Sequence, residues 1–257
     1  MNKINKYLIQ LVSCALLVSC VDSLDQTEDY GYLTIGVSDE LEDIIQMKSG
    51  DADERVYRLD VYDSKGNLDV TVENHATVSE ENPIKLMMDK YEVKAVSGVE
   101  GTAFNSPCYG GSGSVRIYPD RASSLSIQCK MSKIMFSVHF PEDEVFASKF
   151  SLYELAVSNG EVLTFSSAPK ADDPSYGTFE DIAYFEVPAD RKLTYTLKIV
   201  HADGAQYTST GELTQVAAAE HYHFDFKLGE REEIDGALVL NIRLDGEYDQ
   251  EYTHEII

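Results

Sequence analysis

The sequence predicts an all-β protein in which two tandem β-sandwich domains follow a signal peptide. Three observations lead to this fold class. Apolar and polar residues alternate with a period of two along most of the chain after residue 30, as they do in half-buried strands. Clusters of Asp, Asn, Ser and Gly separate these stretches, and helical patterns are few. Because 43% of its 257 residues are hydrophobic, the chain has enough apolar surface for two cores.

The first twenty residues have the pattern of a bacterial lipoprotein leader. Lys3 and Lys6 form a short basic start, and a mostly apolar run covers residues 7–18. This run is shorter than the roughly 20 apolar residues that a membrane-spanning helix needs. It closes with Leu-Val-Ser before Cys20, which resembles a lipobox, whose cysteine is acylated and becomes the new N-terminus. We therefore expect residues 1–19 to be removed and Cys20 to carry acyl chains such as palmitate.

Two alternatives compete with Cys20 as the processing site. The same Leu-Val-Ser-Cys ending occurs at Cys14, but it leaves only residues 7–12 as the apolar run, which is short for a signal peptide. An ordinary signal peptide would be cut after small residues, and the triplet 13–15 that offers them falls inside the apolar run. Cys20 is therefore the favoured lipid attachment site, and residues 20–29 form a polar, acidic tether behind it.

The charge of the chain excludes one large class of partners. The formal net charge is −24, and it becomes −26 once residues 1–19 are removed, because they contain two lysines and no acid. Nucleic-acid affinity depends on Lys and Arg that displace counterions from phosphates, so this chain is not expected to bind nucleic acid. Contact with a membrane is expected through the lipid anchor, since anionic headgroups repel an acidic surface.

The alternating pattern of residues 30–132 predicts the N-terminal sandwich. Its segments are joined by turns, of which Asp63–Asn67 is a hairpin turn by composition. The positions predicted to face the first core are Leu33, Ile35, Val37, Tyr57, Leu59, Val61, Leu68, Val70, Val72, Tyr91, Val93, Ala95, Leu125, Ile127, Cys129 and Met131. At Ser132–Lys133 one strand ends and the next begins without a loop, which predicts a domain boundary there.

Residues 133–257 predict the C-terminal sandwich by the same pattern. Turns are predicted at Ser158–Gly160 and, by the Asp-Gly rule, at Ala202–Gly204. Short helical turns are predicted after Pro141 and over residues 40–46. The positions predicted to face the second core are Ile134, Phe136, Val138, Phe140, Tyr153, Leu155, Val157, Phe185, Val187, Leu193, Tyr195, Leu197, Ile199, Tyr222, Phe224, Phe226, Leu228, Leu238, Leu240, Ile242 and Leu244.

Two cysteines, Cys108 and Cys129, remain in the chain after Cys20. An exported protein permits a disulfide between them. Cys129, however, falls on the inward face of a predicted strand, where a free cysteine behaves as a small hydrophobic residue. Two residues alone do not establish pairing, so the sequence leaves both states open and favours the free thiols.

Three groups of side chains are candidate metal ligands. His221, His223 and Asp225 share the outward face of one predicted strand, but a third imidazole or a cysteine is missing, so a solvated strand face is favoured over a zinc or copper site. Asp51–Glu54 and Asp172–Asp173 are acidic, but neither matches a D-x-D-x-D-G calcium loop. We therefore predict solvated acidic loops, no metal and no cofactor.

No catalytic residue is predicted. The stretch Gly110–Ser114 is rich in glycine and serine, but it lacks the G-x-S-x-G pattern of a nucleophile elbow and the Gly-Lys of a P-loop. We predict a flexible loop there and no enzymatic activity. The absence of Trp, beside 16 Tyr, weakens without excluding a platform on which sugars stack.

A series of weak motifs resembles a known family of proteins. The motifs, in chain order, are Asp29–Ile35 behind the lipid cysteine, Pro83–Leu86, Lys90–Gly98, Pro107–Gly111 and Ile127–Met131. Together they resemble uncharacterised Bacteroidetes surface lipoproteins related to fimbrillin-like (type V pilin-type) proteins. The resemblance covers essentially the whole mature chain. It implies two transthyretin-like, fimbrillin-like β-sandwiches and a lipid anchor in the outer membrane, and it transfers only the lipid cysteine, onto Cys20.

The resemblance also implies a function. It points to a surface-exposed lipoprotein in cell adhesion or as an accessory of a pilus, with a pilin-like protein or a host or surface ligand as partner. Shaft pilins of this class are trimmed after an arginine near the first strand, but here no Lys or Arg lies between Cys20 and Lys48. This favours a permanently anchored protein, and residues 236–244 are the predicted edge strand for pairing with a partner. The alternative is a glycan-binding accessory lipoprotein in polysaccharide capture.

Overall fold

The structure is a computed structural model that describes residues 29–39, 55–141, 144–228, 238–245 and 252–256. The predicted leader with Cys20, the tether before residue 29, the acidic stretch Asp51–Glu54 and the predicted helical turn at residues 40–46 lie outside these residues. Within them almost all regular structure is β-strand, so the predicted all-β fold is confirmed.

The strands of the described residues are numbered in chain order. The first nine are β1 (Tyr30–Asp39), β2 (Arg58–Tyr62), β3 (Leu68–Val72), β4 (Ile84–Met87), β5 (Lys90–Gly98), β6 (Ala103–Phe104), β7 (Cys108–Arg116), β8 (Ala122–Met131) and β9 (Lys133–His139). The others are β10 (Phe150–Ser158), β11 (Val162–Ser166), β12 (Tyr176–Gly177), β13 (Ala183–Glu186), β14 (Lys192–His201), β15 (Gln206–Thr214), β16 (His221–Leu228), β17 (Leu238–Asp245) and β18 (Tyr252–Ile256). A 3-10 helix covers His75–Thr77, and the helix α1 covers Glu144–Lys149.

Seven strands enclose the first core. Their order is β3-β2-β5-β7-β8-β1-β4, and β8 connects two halves because it pairs with β7 near Met131 and runs parallel to β1 from Ala122 to Cys129. The alternating apolar positions of both halves meet in one buried cluster, whose members are Leu33, Ile35, Tyr57, Leu59, Val61, Ile84, Leu86, Tyr91, Val93, Ala95, Ile117, Ile127 and Cys129. The prediction of a sheet-built core in this half is confirmed.

The prediction of a flexible loop at Gly110–Ser114 was wrong. These residues lie inside β7, which pairs with β5 over its whole length. The small residues allow a close approach to β8, because a Cβ atom on Gly111 would lie 2.3 Å from the carbonyl oxygen of Gln128. Gly111 is therefore needed for close packing, and the glycine- and serine-rich composition of this stretch was misinterpreted as that of a loop.

Two further sheets enclose the second core. One has the order β12-β11-β10-β14-β15 and the other has the order β18-β17-β16-β9-β13-β6. Aromatic side chains dominate the core between them: the ring centroid of Phe136 lies 5.2–5.6 Å from those of Tyr222, Phe185 and Phe224. Aromatic rings at such distances attract one another, and this attraction adds to the stabilisation that comes from burying their apolar surface.

Local predictions in the second half are largely confirmed. Met131 ends β8 and Lys133 begins β9, so the strands follow each other without a loop. Turns occur at Ser158–Gly160 and between β14 and β15, where the Gly204 amide donates to the His201 carbonyl over 2.9 Å. The short helix after Pro141 is α1. The boundary of the domains at residue 132 stays a prediction, because β6, from the first half, pairs in a sheet of the second core.

Candidate binding surfaces

The strand that the sequence offered for pairing with a partner is not an edge. Of residues 236–244, the structure describes those in β17, and β17 lies between β16 and β18 with hydrogen-bonded pairing on both sides. The prediction of an edge strand there was wrong. The alternating pattern identified a strand but not its neighbours, and β18 follows too closely along the chain to be distinguished from a tail by composition.

The β15 strand is a long exposed edge. Among the strands that the structure describes it pairs with β14 alone, from Lys192↔Thr214 to Val200↔Gln206. The His201 amide donates to the Ala205 carbonyl over 2.8 Å, so the alternating bonds of an antiparallel ladder assign the odd-numbered residues of β15 to bonds with β14. The even-numbered residues therefore point their N–H and C=O groups away from the sheet, and these residues are Gln206, Thr208, Thr210, Glu212 and Thr214.

This edge has little of the protection that natural edge strands carry. It is nine residues long, contains no Pro or Lys, and its five outward-pointing residues are all exposed. Tyr207, whose side chain lies on the core-facing side, is 43% exposed, because no neighbouring strand covers it. The only ion pair within the β14–β15 hairpin joins Lys192 Nζ to Glu212 Oε1 at 2.8 Å, among the residues that the structure describes. The β15 edge is thus open to another strand.

A second candidate surface is formed by the segment that connects the two cores. Residues 99–107, which we call the junction loop, leave β5 and reach the second sandwich, where Ala103 and Phe104 pair with β13. The Phe104 ring contacts Phe165 edge-on at a centroid distance of 5.0 Å and so extends the second core. Asn105 donates to Asp181 over 2.6 Å and accepts from the Ile182 amide over 3.0 Å.

Lys133 fixes the base of the junction loop. Its side chain is fully buried, and Nζ donates to the carbonyl oxygens of Val99 at 2.6 Å and Ser106 at 2.9 Å. Burial lowers the pKa of Lys133, because desolvation disfavours the charged form. The Lys133 ammonium therefore links both ends of the junction loop by hydrogen bonds, and the loop in turn shields the lysine from water.

Cys108 and Cys129 are both buried free thiols in the structure. Tyr109 pairs with Met131 and Gly110 with Lys130, so this register continues to Cys108 opposite Ser132, three positions from Cys129. That offset is about 10 Å along a strand, and the two side chains point to opposite faces. A bridge would need the backbone to move. Burial, with a smaller effect of Asp39, raises the pKa of the Cys129 thiol to about 11.

The histidines of β16 meet a serine rather than a set of metal ligands. The Ser137 hydroxyl lies 2.7 Å from His223 Nδ1 and 3.1 Å from His221 Nε2, and the two imidazole centroids are 3.9 Å apart. His221 is buried. Within the described part of the chain no three His, Cys, Asp or Glu residues come together as a metal site.

The acidic residues Asp172 and Asp173 border a shallow cleft. It has a volume of about 470 Å³ and is lined by Pro169, Lys170, Ala171, Asp172, Asp173, Pro174, Tyr176, Gly177, Thr178 and Asp181. Lys170 Nζ lies 4.1 Å from the centre of the Tyr176 ring. Asp173 is engaged within its own turn, since its carboxylate accepts from the amide and hydroxyl of Ser175. The cleft offers an aromatic ring beside charged groups of both signs.

One polar cluster had no signal in the sequence. Asp39, at the end of β1, accepts from the Tyr57 hydroxyl and pairs with Arg55 at 2.6 Å, while the Arg55 guanidinium lies 3.9 Å from the centre of the Tyr109 ring. Burial, together with Asp39, raises the pKa of Tyr57 well above its usual range. The cluster ties the end of β1 to the residues before β2, and only the folded chain brings its members together.

Comparisons with known proteins bear on the family and the fold. A family model described as a domain of unknown function (DUF4493) matches residues 29–257. No functionally curated protein matches the chain. Among the described residues no helix is long and apolar enough to cross a bilayer.

Three solved structures are similar to the chain over most of their length. The fimbrial anchor protein Mfa2 from Porphyromonas gingivalis is 10% identical with a TM-score of 0.44, covering 86% of this chain and 99% of that one. A candidate polysaccharide-binding protein (DUF1812) from Bacteroides thetaiotaomicron is 12% identical with a TM-score of 0.45, covering 88% and 98%. A candidate cell adhesion protein from Bacteroides eggerthii is 6% identical with a TM-score of 0.45, covering 89% and 97%.

Proposed function

The chain belongs to the DUF4493 family over residues 29–257, and we propose that it is a lipid-anchored protein of the bacterial cell surface that acts in adhesion or as an anchored accessory of a pilus-like assembly. Its mechanism is presentation: acyl chains on Cys20 hold the membrane, and the two sandwiches display loops and open sheet edges. The sequence supports the anchor, through the lipobox pattern that ends at Cys20.

The observation that carries this proposal is the position of β1. It begins at Tyr30, after a tether of residues 21–29 that spans at most about 30 Å when extended. β1 lies between β4 and β8, and it runs parallel to β8 over the pairs Tyr32↔Ala122 to Asp39↔Cys129. A pull along β1 from the anchor loads these hydrogen bonds together rather than one after another. An anchored adhesive protein must withstand such a load.

The same strand argues for a permanent anchor. β1 contains no Lys or Arg, so trimming after a basic residue has no substrate within it. Because β1 pairs on both sides, its removal would also take Leu33 and Ile35 out of the first core and uncover the side chains packed against them. We therefore propose that β1 stays in place and that the protein remains attached, as an anchor or a stand-alone adhesin does.

Replacing Cys20 tests this proposal. Cells of the native host that carry Cys20→Ala are expected to lose adherence to the level of a deletion strain, because the protein no longer stays at the surface. Protease added to intact cells is expected to digest the wild-type protein and to release peptides of residues 29–257. Mass spectrometry should detect acyl chains on Cys20 only in the wild type.

The control is Cys14→Ala, which alters the competing lipobox and should change neither adherence nor acylation. The proposal fails if the wild-type protein resists protease on intact cells while a known surface protein is digested. It also fails if a deletion strain adheres as well as the wild type to every surface that the wild type colonises.

A second candidate function is the capture of a polysaccharide, and the cleft at Tyr176 favours it. The Tyr176 ring is half-buried and lies beside carboxylates, and a ring face of this kind can pack against the apolar C–H groups of a sugar. If this function holds, Tyr176→Ala should abolish binding on a glycan array, whereas Tyr118→Ala, which removes an exposed tyrosine of the first sandwich, should leave it unchanged. Equal binding by both variants would exclude the cleft.

A further inference from the structure

We propose that two copies of this chain associate by antiparallel pairing of their β15 edges and so join their five-stranded sheets into one continuous sheet. The starting point is the row of outward N–H and C=O groups on the even-numbered residues from Gln206 to Thr214. Exposed backbone groups of this kind are completed when an extended strand is added to the edge. A second β15 is an extended strand of matching length.

The sequence of β15 is compatible with itself in one register. When two copies lie antiparallel about Thr210, Thr210 faces its own copy, Thr208 faces Glu212, and Gln206 faces Thr214. All of these are outward-pointing residues, so each N–H meets a C=O of the other copy. A register centred on Glu212 would place the Glu212 carboxylates of the two copies opposite each other. Like charges that face each other destabilise a cross-strand pair. The register about Thr210 also pairs all nine residues.

The core-facing side of the edge supports the same register. Tyr207 then lies opposite Leu213 of the other copy. In the single chain, Tyr207 is 43% exposed although its side chain points to the apolar side of the sheet, where its ring contacts that of His201 edge-on at a centroid distance of 5.7 Å. An aromatic ring that packs against an aliphatic side chain across the new boundary stabilises the pairing. Association thus buries the apolar ring that the edge leaves open.

The charge around β15 explains how two acidic chains can meet here. The protein carries a formal net charge of −24, but residues 190–216 contain three basic and three acidic side chains. The basic ones are Arg191, Lys192 and Lys198, and the acidic ones are Asp190, Asp203 and Glu212. The hairpin is therefore a neutral region of an acidic molecule. Repulsion between copies is weaker here than on the rest of the surface.

Two pairs of variants test the association, made in the chain of residues 21–257, which includes every residue that the structure describes. Thr210→Pro removes an outward N–H at the two-fold axis and keeps all bonds to β14, since proline is tolerated on an edge when its nitrogen faces solvent. It should weaken dimerisation at least about tenfold in sedimentation equilibrium, a loss of about 1.4 kcal/mol. Thr210→Ala keeps the N–H and should dimerise like the wild type.

The second pair tests the register. Thr210→Lys places two lysines opposite each other at the axis, whereas Thr208→Lys places each lysine opposite Glu212 of the other copy. Both variants change the net charge equally, so a general charge effect cancels. We expect Thr210→Lys to dimerise several-fold more weakly than Thr208→Lys. Circular dichroism of all four variants should match the wild type.

Two results would overturn the proposed association. A wild-type chain that remains monomeric at high concentration overturns the proposal, and so does a dimer that Thr210→Pro leaves unchanged. Equal weakening by the two lysine variants overturns the register about Thr210. Protection of the β15 amides from hydrogen exchange at dimer concentrations, lost in Thr210→Pro, supports it.

Discussion

Replacing Phe136 with alanine is expected to lower the free energy of unfolding of the second sandwich by about 3–5 kcal/mol, the range for deleting a large buried aromatic side chain. Phe136 is fully buried in β9, and its ring lies among Phe185, Tyr222 and Phe224, so the cavity would be lined by rigid rings that collapse poorly. Urea denaturation, followed by circular dichroism and tyrosine fluorescence, measures the loss.

The matched control for this prediction lies in the same sandwich. Val162, at the start of β11, is 49% exposed, and Val162→Ala should change the free energy of unfolding by no more than about 0.5 kcal/mol. Phe136→Leu should cost less than Phe136→Ala, since it keeps most of the apolar volume. A cost for Phe136→Ala no larger than that for Val162→Ala would show that this cluster does not form the core.

Replacing Gly98 with alanine should cost about 3 kcal/mol or more, although it adds a single methyl group. Gly98 ends β5 with φ of +101°, a conformation that L-residues rarely adopt, and a Cβ atom there would lie 2.1 Å from the Pro107 carbonyl oxygen. Both ends of the junction loop meet at this point, so neither backbone segment can move away without disturbing the other. Urea denaturation of the purified variant checks the value.

Gly66 separates the two causes of the predicted cost. It also has a positive φ, +81°, in the turn between β2 and β3, but a Cβ atom there meets nothing within 4 Å. Gly66→Ala should therefore cost only about 1–2 kcal/mol, the penalty of the left-handed backbone alone. If the two variants were equally destabilised, the close approach between Gly98 and Pro107 would have no energetic role.

The alternation of apolar residues predicted the strands well because each sheet has one face against a core. Leu33 and Ile35 in β1, and Leu193, Tyr195, Leu197 and Ile199 in β14, are buried as the pattern requires. The turn at Asp63–Asn67 was predicted from its composition, and the structure shows the physical reason: Asp63 accepts hydrogen bonds from the turn itself, including one from the Asn67 amide at 2.8 Å. Leu68, predicted to face the core, is 55% exposed, because the register shifts between Val61 and Tyr62 and pairs Leu68 with Tyr62, out of phase with the core-facing Val61.

Pairing between distant strands was not predictable from the same pattern. β6 has only two residues, and nothing in Ala103 and Phe104 indicates that they pair with β13 some eighty positions later. The central place of β17 depends on β18, and the strand character of β7 depends on its pairing with β5. Period two identifies which residues face a core, but it does not say which strand lies beside which.

The candidate surfaces show the same division. No strand was predicted at Gln206–Thr214, and the outward direction of the β15 backbone groups follows from the hydrogen bond between His201 and Ala205 in the structure. The polar cluster of Asp39, Tyr57 and Arg55 joins residues from two separate segments, and no sequence spacing predicts that these residues come into contact. The lipid attachment at Cys20 stays a prediction from the sequence alone.

The insertion of β6 into the second sandwich imposes an order on folding. A protein chain is synthesised from its N-terminus, so residues 99–107 leave the ribosome well before the segment that holds β13. During that interval the Phe104 ring does not yet pack against Phe165, and the Lys133 ammonium is not yet held by the carbonyl oxygens of Val99 and Ser106. Contacts between distant positions also form slowly, because the intervening chain must be ordered first. Newly synthesised molecules therefore pass through a stage in which the junction loop is unattached and exposed to proteases and to other nascent chains.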